Sequence, residues 1–354
     1  MQRIFLILIT LLSQNSFAYR DVNPCVENVV ESMKHLKRNG SDLRVRNNKI
    51  IKGRKYTMGL FNKFGIDNHF QGIQRLFNSE YFVFSGGDYA RKQGHLFIGK
   101  IESKSGAELW GENRIPWKKT PKKDKLISKI KVGSKLWWHP GGLQTLGGIL
   151  VVPSEDYKVT NTAIIEFFDM SRPQRPVKFK HSIIRKHQDA GGVAITKLEN
   201  GYYLLGVHAT PEIDFYLSKS MRFEDGFDSK KFMSWNKNNV QQNAGFTQEF
   251  GGSSMNFIKQ CDGELFIATF NNSSKAAPII KGKDWMSLYQ IDFKDDLSAV
   301  SAVTKVAEKS FTCKGRCNFA AGVGVYITPS KQLHVYSINH FRNFWGSHIK
   351  FREF

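Results

Sequence analysis

The chain has 354 residues, with 52 Lys and Arg against 31 Asp and Glu, a net charge of +21, and 28 Phe, 11 Tyr and 7 Trp. That length can bury a large core, and aromatic side chains in such number suit strands on half-buried pleated surfaces. No stretch reaches the roughly 20 apolar residues of a spanning helix, which excludes a helical membrane protein, and the charge favours anionic partners.

In chain order, Arg3, the short apolar run 4–12 and Ser16-Phe17-Ala18 have the layout of a secretory signal peptide cut before Tyr19. Cys25 lies too far past the small residues for a lipoprotein, so the expected location is secreted or periplasmic. Residues 19–40 form an N-terminal helical segment. Asn23 suits its N-cap and Pro24 its first turn, with Val26, Val29, Val30, Met33 and Leu36 on one face. Basic residues crowd 34–63, where Asp42 is the lone acid, and 117–131, the segment WKKTPKKDKLISKIK. Both read as solvated loop surface or as attraction to an acidic glycan, wall polymer or membrane surface. Sequence-specific nucleic-acid binding is not expected, since no nucleic-acid module is recognisable.

Beyond these regions, five segments repeat one pattern of a polar residue, small residues, an apolar strand, a turn and a second apolar strand. They are HFQGIQRLFNSEYFVFSGGD from His69, HPGGLQTLGGILVVPSED from His139, DAGGVAITKLENGYYLLGVHA from Asp189, GGSSMNFIKQCDGELFIATFNN from Gly251 and AAGVGVYITPSKQLHVYSINH from Ala320. Asn200-Gly201, Asp262-Gly263 and Gly147-Gly148 supply turn chemistry. Their small-residue anchors, Gly72, Gly142, Gly192, Ser254 and Gly322, are spaced by 70, 50, 62 and 68 residues. A four-stranded propeller blade takes roughly 40–50 residues, so each interval holds one blade and its loops. Past Gly322 only three strands fit, the last being HIKFREF, and the fourth must come from LRVRN or KYTMGLF near the other end. The expected fold is all-β: one domain over 41–354, a five-bladed β-propeller closed by N- and C-terminal strands, with a short N-terminal helix.

Nearly all of the mature chain resembles a five-bladed β-propeller in architecture, and the H-x-G-G-[LIV]-Q segment at His139 resembles repeats of secreted bacterial propellers. WD40, kelch and sialidase signatures are absent, so the resemblance carries over no functional residue.

Four cysteines suit an oxidising compartment. Cys313 and Cys317 can close a tight loop, leaving Cys25 to Cys261; a metal or redox pair is the competing reading of the C-x3-C spacing.

In such a fold, starts of first strands and ends of second strands meet at one mouth. That mouth would gather His69, Asp88, Trp138, His139, Glu155, Asp189, His208, Glu249, Asn271 and His340 as ligand-binding groups. Three functions suit it. The preferred one is recognition of a carbohydrate or other polar, anionic envelope component at a single axial funnel, by a monomer without cofactor. The repeats keep their glycines better than their polar neighbours, which argues against one lectin pocket per blade. The alternative is a glycosidase-like hydrolase using two of Glu155, Asp189 and Glu249. The third is a metal centre of His69, His139, His208 and His340 beside Glu155, although no His-x-His or His-x3-His spacing supports it.

Overall fold

The computed structural model describes residues 22–50, 69–88, 91–101, 122–156, 161–209, 212–242, 245–246, 248, 250–252, 254–272, 283–294, 300–313, 317–320, 322–338 and 348–354. The fold is all-β with one α-helix among these residues. Strand β1 (Cys25–Val26), helix α1 (Val29–His35) and strand β2 (Ser41–Arg46) come first. An antiparallel run follows, of β3 (Phe70–Arg75), β4 (Tyr81–Asp88), β5 (Gln93–Lys100) and β6 (Lys125–Val132). In the second run β7 (His139–Pro140) and β8 (Gln144–Leu146) both pair with β9 (Ile149–Glu155), and β10 (Ala163–Asp169) and β11 (Val177–Arg185) extend it. The third run is β12 (Gly192–Lys197), β13 (Tyr203–Ala209), β14 (Glu212–Leu217) and β15 (Met233–Asn236). After β16 (Gln241–Gln242) comes the fourth, β17 (Ser254–Gln260), β18 (Leu265–Asn272), β19 (Asp284–Phe293) and β20 (Val300–Phe311). The last is β21 (Val323–Ile327), β22 (Leu333–Ile338) and β23 (His348–Glu353), completed by β2 in the register Leu43↔Phe351 and Val45↔Ile349. A parallel pair, Arg46↔Lys125, joins this run to the first.

The core explains why these strands read as nearly unbroken apolar runs. Side chains alternate across a strand, and here both faces of the inner strands of each run are buried, whereas an outer strand such as β11 is largely exposed. Phe82 and Phe84 pack with Tyr336 and Phe351 of the last run, whereas Val83 between them packs with Leu150 and Val152 of the second. Ile149 and Val151 turn the other way, onto Val193 and Leu205 of the third. Leu204 meets Phe257 and Ile267 of the fourth, and Phe266 and Phe270 meet Val323 and Val335 of the last. Each run is thus packed between two others.

The first strands β3, β8, β12, β17 and β21 are stitched to one another by side-chain amides. Gln144 Oε1 accepts from the backbone of both Ile195 and Phe257 (2.9 Å each), and its Nε2 donates to Phe257 O at 2.8 Å. Asn256 accepts from Val325 N at 2.9 Å and donates to Leu143 O at 3.4 Å; Gln74 donates to Val325 O at 2.5 Å. These bonds satisfy backbone groups on edges that would otherwise be open. Close approach is also why small residues anchor the repeats. A Cβ on Gly322 would lie 2.9 Å from Gly72 N, and one on Gly142 would lie 2.9 Å from Ser254 Oγ.

Three sequence expectations need comment. The helix is shorter than expected: Asn28, not Asn23, caps it by accepting from Glu31 N at 2.9 Å, and Pro24 precedes a strand. Pairing of β1 with β17 and the Cys25–Cys261 disulfide hold residues 25–26 extended, a tertiary constraint that outweighs local helical pattern. Val29 and Met33 still bury the expected face. Second, the Cys313–Cys317 bridge is also formed. Third, the basic segment 117–131 is partly a strand, since Lys125–Val132 forms β6 with Lys129 and Lys131 exposed. LRVRN falls on β2, and KYTMGLF lies outside the described residues.

Candidate functional site

The antiparallel pairing brings starts of first strands and ends of second strands to one end of the molecule. His69 immediately precedes β3, His139 opens β7, Glu155 ends β9 and Asp189 lies just before β12. The pairs His139↔Glu155 and Gly192↔His208 place two predicted residues directly opposite a strand start.

Three of the predicted groups form a continuous chain. Glu155 Oε1 lies 3.0 Å from His139 Nδ1, and His139 Nε2 lies 2.9 Å from His69 Nε2 and 3.2 Å from Gln71 Nε2. With Nδ1 turned to the carboxylate, His139 directs Nε2 at the His69 and Gln71 side-chain nitrogens. Glu155 Oε2 accepts from Ala190 N at 3.3 Å, so both its oxygens are held. His69 and His139 are buried, while Glu155 keeps 14% of its side chain exposed. The carboxylate is thus the accessible tip of a buried polar chain.

His208 stands close by. Its ring nitrogens lie 3.7 Å and 3.3 Å from where Cβ atoms on Gly191 and Gly251 would sit. Burial, with the Arg185 charge second, pushes its pKa down to about 4 against the opposing pull of Glu155. Burial does the same to His95, on β5, with Lys129 next in importance. The sign of the consequence is fixed. An unfolded histidine protonates near 6.5, so between pH 6.5 and about 4 the unfolded chain takes up a proton that folded His208 refuses. Stability should therefore fall as pH drops through that window, by on the order of 3 kcal/mol for His208. Urea midpoints at pH 7 and 4.5 for the wild type and His208→Gln check this: the variant should lose less on acidification. An equal loss in both would show that His208 does not stay neutral.

The other predicted residues are placed differently. Asp88 is buried and paired with Arg91 at 3.1 Å. Trp138 is buried with Lys92 Nζ 4.6 Å from its ring centroid. Asn271, the last residue but one of β18, is half-buried opposite Trp285. Glu249 and His340 lie outside the described residues. Among the described residues no group of three or more His, Cys, Asp or Glu could hold a metal ion.

Sequence reasoning missed a buried ion pair. Arg185 Nη2 lies 2.5 Å from Asp214 Oδ2, both side chains fully buried, and Arg185 also donates to Gln188 Oε1 at 3.0 Å. Lys231 at 3.1 Å and the Ser234 hydroxyl share the Asp214 carboxylate. A carboxylate inside the apolar strand IDFYL was the available signal, because a buried acid demands a partner.

No family profile matches the sequence, and no curated protein is detectably similar to it. Among solved structures, a hypothetical protein from Leishmania major overlaps 91% of each chain at 10% identity and a TM-score of 0.44. A β-xylosidase/α-arabinofuranosidase from a compost microbial metagenome covers 85% of this chain and 95% of its own at 9% identity and a TM-score of 0.42. An α-L-arabinofuranosidase from Podospora anserina covers the same shares at 7% identity and a TM-score of 0.40. Overlaps this loose transfer no activity.

Proposed function

We propose that residues 41–354 form a single five-bladed β-propeller, closed by β2 against β23, in a protein exported after cleavage at Ala18. The cyclic succession of five apolar interfaces and the amide bonds among five first strands support the blade count. The protein recognises a carbohydrate or other polar envelope component at the mouth where Glu155, His139 and His69 meet. The observation that carries this reading is the Glu155–His139–His69 chain, a buried set of imidazoles ending in a partly exposed acceptor. Ligand hydroxyls donate to Glu155, with Asp189, His208 and Asn271 completing the rim. Both Glu155 oxygens accept within the protein, which supports a role as a fixed acceptor.

Glycan-array binding by purified protein, followed by product analysis on the best binder, tests the proposal. Binding without turnover is expected, with Glu155→Gln weakening it about tenfold, the equivalent of one charged hydrogen bond. Released sugar that disappears with Glu155→Gln would replace the binding reading with hydrolysis by a carboxylate pair. Unchanged affinity in the variant would remove the ligand from this mouth.

A further inference from the structure

Among the described residues only Leu136, Val177, Ile184 and Met221 are large hydrophobic side chains left exposed. Leu136 (47% exposed) lies in the turn between β6 and β7, and Ile184 (53%) near the end of β11. A lone exposed leucine or isoleucine needs no explanation. These two come from different runs onto one face.

Strand register and three hydrogen bonds put them there. Ile184 pairs with Ile164 of β10 and Ser182 with Glu166, so Ile184 shares a face with the Glu166 side chain. The Glu166 carboxylate accepts from Gly133 N at 2.6 Å. Trp137 Nε1 donates at 3.0 Å to the hydroxyl of Thr162, one residue before β10. The turn 133–137 is thus fastened at both ends to β10. Within it Ser134 Oγ accepts from Leu136 N at 3.1 Å and Trp137 N at 3.2 Å, and Ser134 N donates to Trp137 O at 2.9 Å. The exposure of Leu136 therefore belongs to a fixed turn.

Lysines flank the two apolar groups. Lys135 precedes Leu136, and Lys178 and Lys180 are exposed along β11 like Ile184, while Phe179, His181 and Ile183 turn inward. Glu166 is buried, and its carboxylate is already bonded to Lys178 and Gly133. Lys135 and Lys180 have no acidic partner among the described residues.

We infer that this face docks on an anionic lipid surface, with Leu136 and Ile184 entering the headgroup boundary and the lysines meeting lipid phosphates. Binding of that kind grows with the apolar area inserted and with each lysine near the charged surface. An acidic polymer would answer the lysines but offers nothing to exposed leucine and isoleucine, so the combination selects a bilayer. Trp137 beside them has the amphipathic ring that suits such a boundary. The turn runs straight into Trp138 and His139, so a docked molecule holds its mouth beside the lipid, whatever the mouth binds.

Co-sedimentation with vesicles of phosphatidylglycerol and phosphatidylcholine in equal parts tests the inference. Wild type and Glu155→Gln should bind alike, and neither should bind phosphatidylcholine alone. Leu136→Ser/Ile184→Ser leaves the net charge unchanged and should bind about tenfold more weakly, with the circular dichroism spectrum of the wild type. Lys135→Gln/Lys180→Gln should weaken binding by roughly fivefold or more. A wild type that ignores the anionic vesicles overturns the inference, and if heparin captures it instead the partner is an acidic polymer. Equal binding by the double serine variant overturns it too, since the net charge of +21 would then suffice. Binding to phosphatidylcholine alone as tight as to the mixture, or unchanged by loss of the lysines, would do the same.

Discussion

Gln144→Leu should cost about 3–5 kcal/mol of stability, read as a fall in the urea midpoint without a change in slope. The wild-type amide accepts from two buried backbone N–H groups on different strands and donates to a third backbone group. Leucine fills similar volume, so packing contributes little to the loss. What remains is two donors and one carbonyl stripped of partners, each worth about 1–3 kcal/mol when buried and unsatisfied. Gln144→Glu discriminates further: it keeps both accepted bonds but faces Phe257 O with a carboxylate, so it should fall between wild type and leucine only if protonated. A midpoint within experimental error of wild type for Gln144→Leu would show that the first strands are held by packing alone. Because Gln144 bonds the first strands of the third and fourth runs at once, the loss should be global and not confined to one run.

Much of this arrangement was legible beforehand. Each of the five strand pairs was visible because turn residues and apolar runs recur at blade-like spacing, and each is present as an antiparallel pair. The small anchors of the repeats were visible as well, and Gly72, Gly142 and Gly322 meet neighbouring backbone or hydroxyl groups that leave no room for a larger side chain. The amides were not legible. Gln74, Gln144 and Asn256 follow their anchors by two residues, yet the equivalent positions are Ala194 and Gly324, so no repeat announces them. Which backbone group an amide reaches depends on the stagger between strands 51 to 251 residues apart, and a single sequence does not encode that in any local pattern. The helix start failed for a related reason, since a disulfide partner 236 residues away decides whether residues 25–26 are extended. The strand-end rule placed His69, His139 and Glu155 among ten residues at one mouth, without saying that these three bond one another or in which order. It also offered Asp88 and Trp138, whose buried contacts with Arg91 and Lys92 the rule has no means to foresee.

Arg185→Met should be about as damaging, at roughly 3–5 kcal/mol, because it leaves Asp214 buried with its closest cation removed. Both side chains are fully buried, and the pair joins the outer strand β11 of one run to β14 of the next. Lys231 and Ser234 would still contact Asp214, so the loss belongs in that range and not beyond it. The discriminating measurement is the double variant Arg185→Met/Asp214→Leu. If the single loss comes from an uncompensated charge, removing the carboxylate as well should recover most of it, since apolar replacements of buried pairs are often neutral. If the loss comes from packing or from the Gln188 contact, the double variant stays as unstable as the single. The same substitution bears on the mouth, because Arg185 is the second largest influence holding His208 neutral. Removing that charge should raise the His208 pKa from about 4, moving the acid loss of stability to a narrower window. Following the His208 ring resonance by NMR titration in Arg185→Met would separate this electrostatic link from the loss of stability, since a pKa left at about 4 would mean that burial alone sets it.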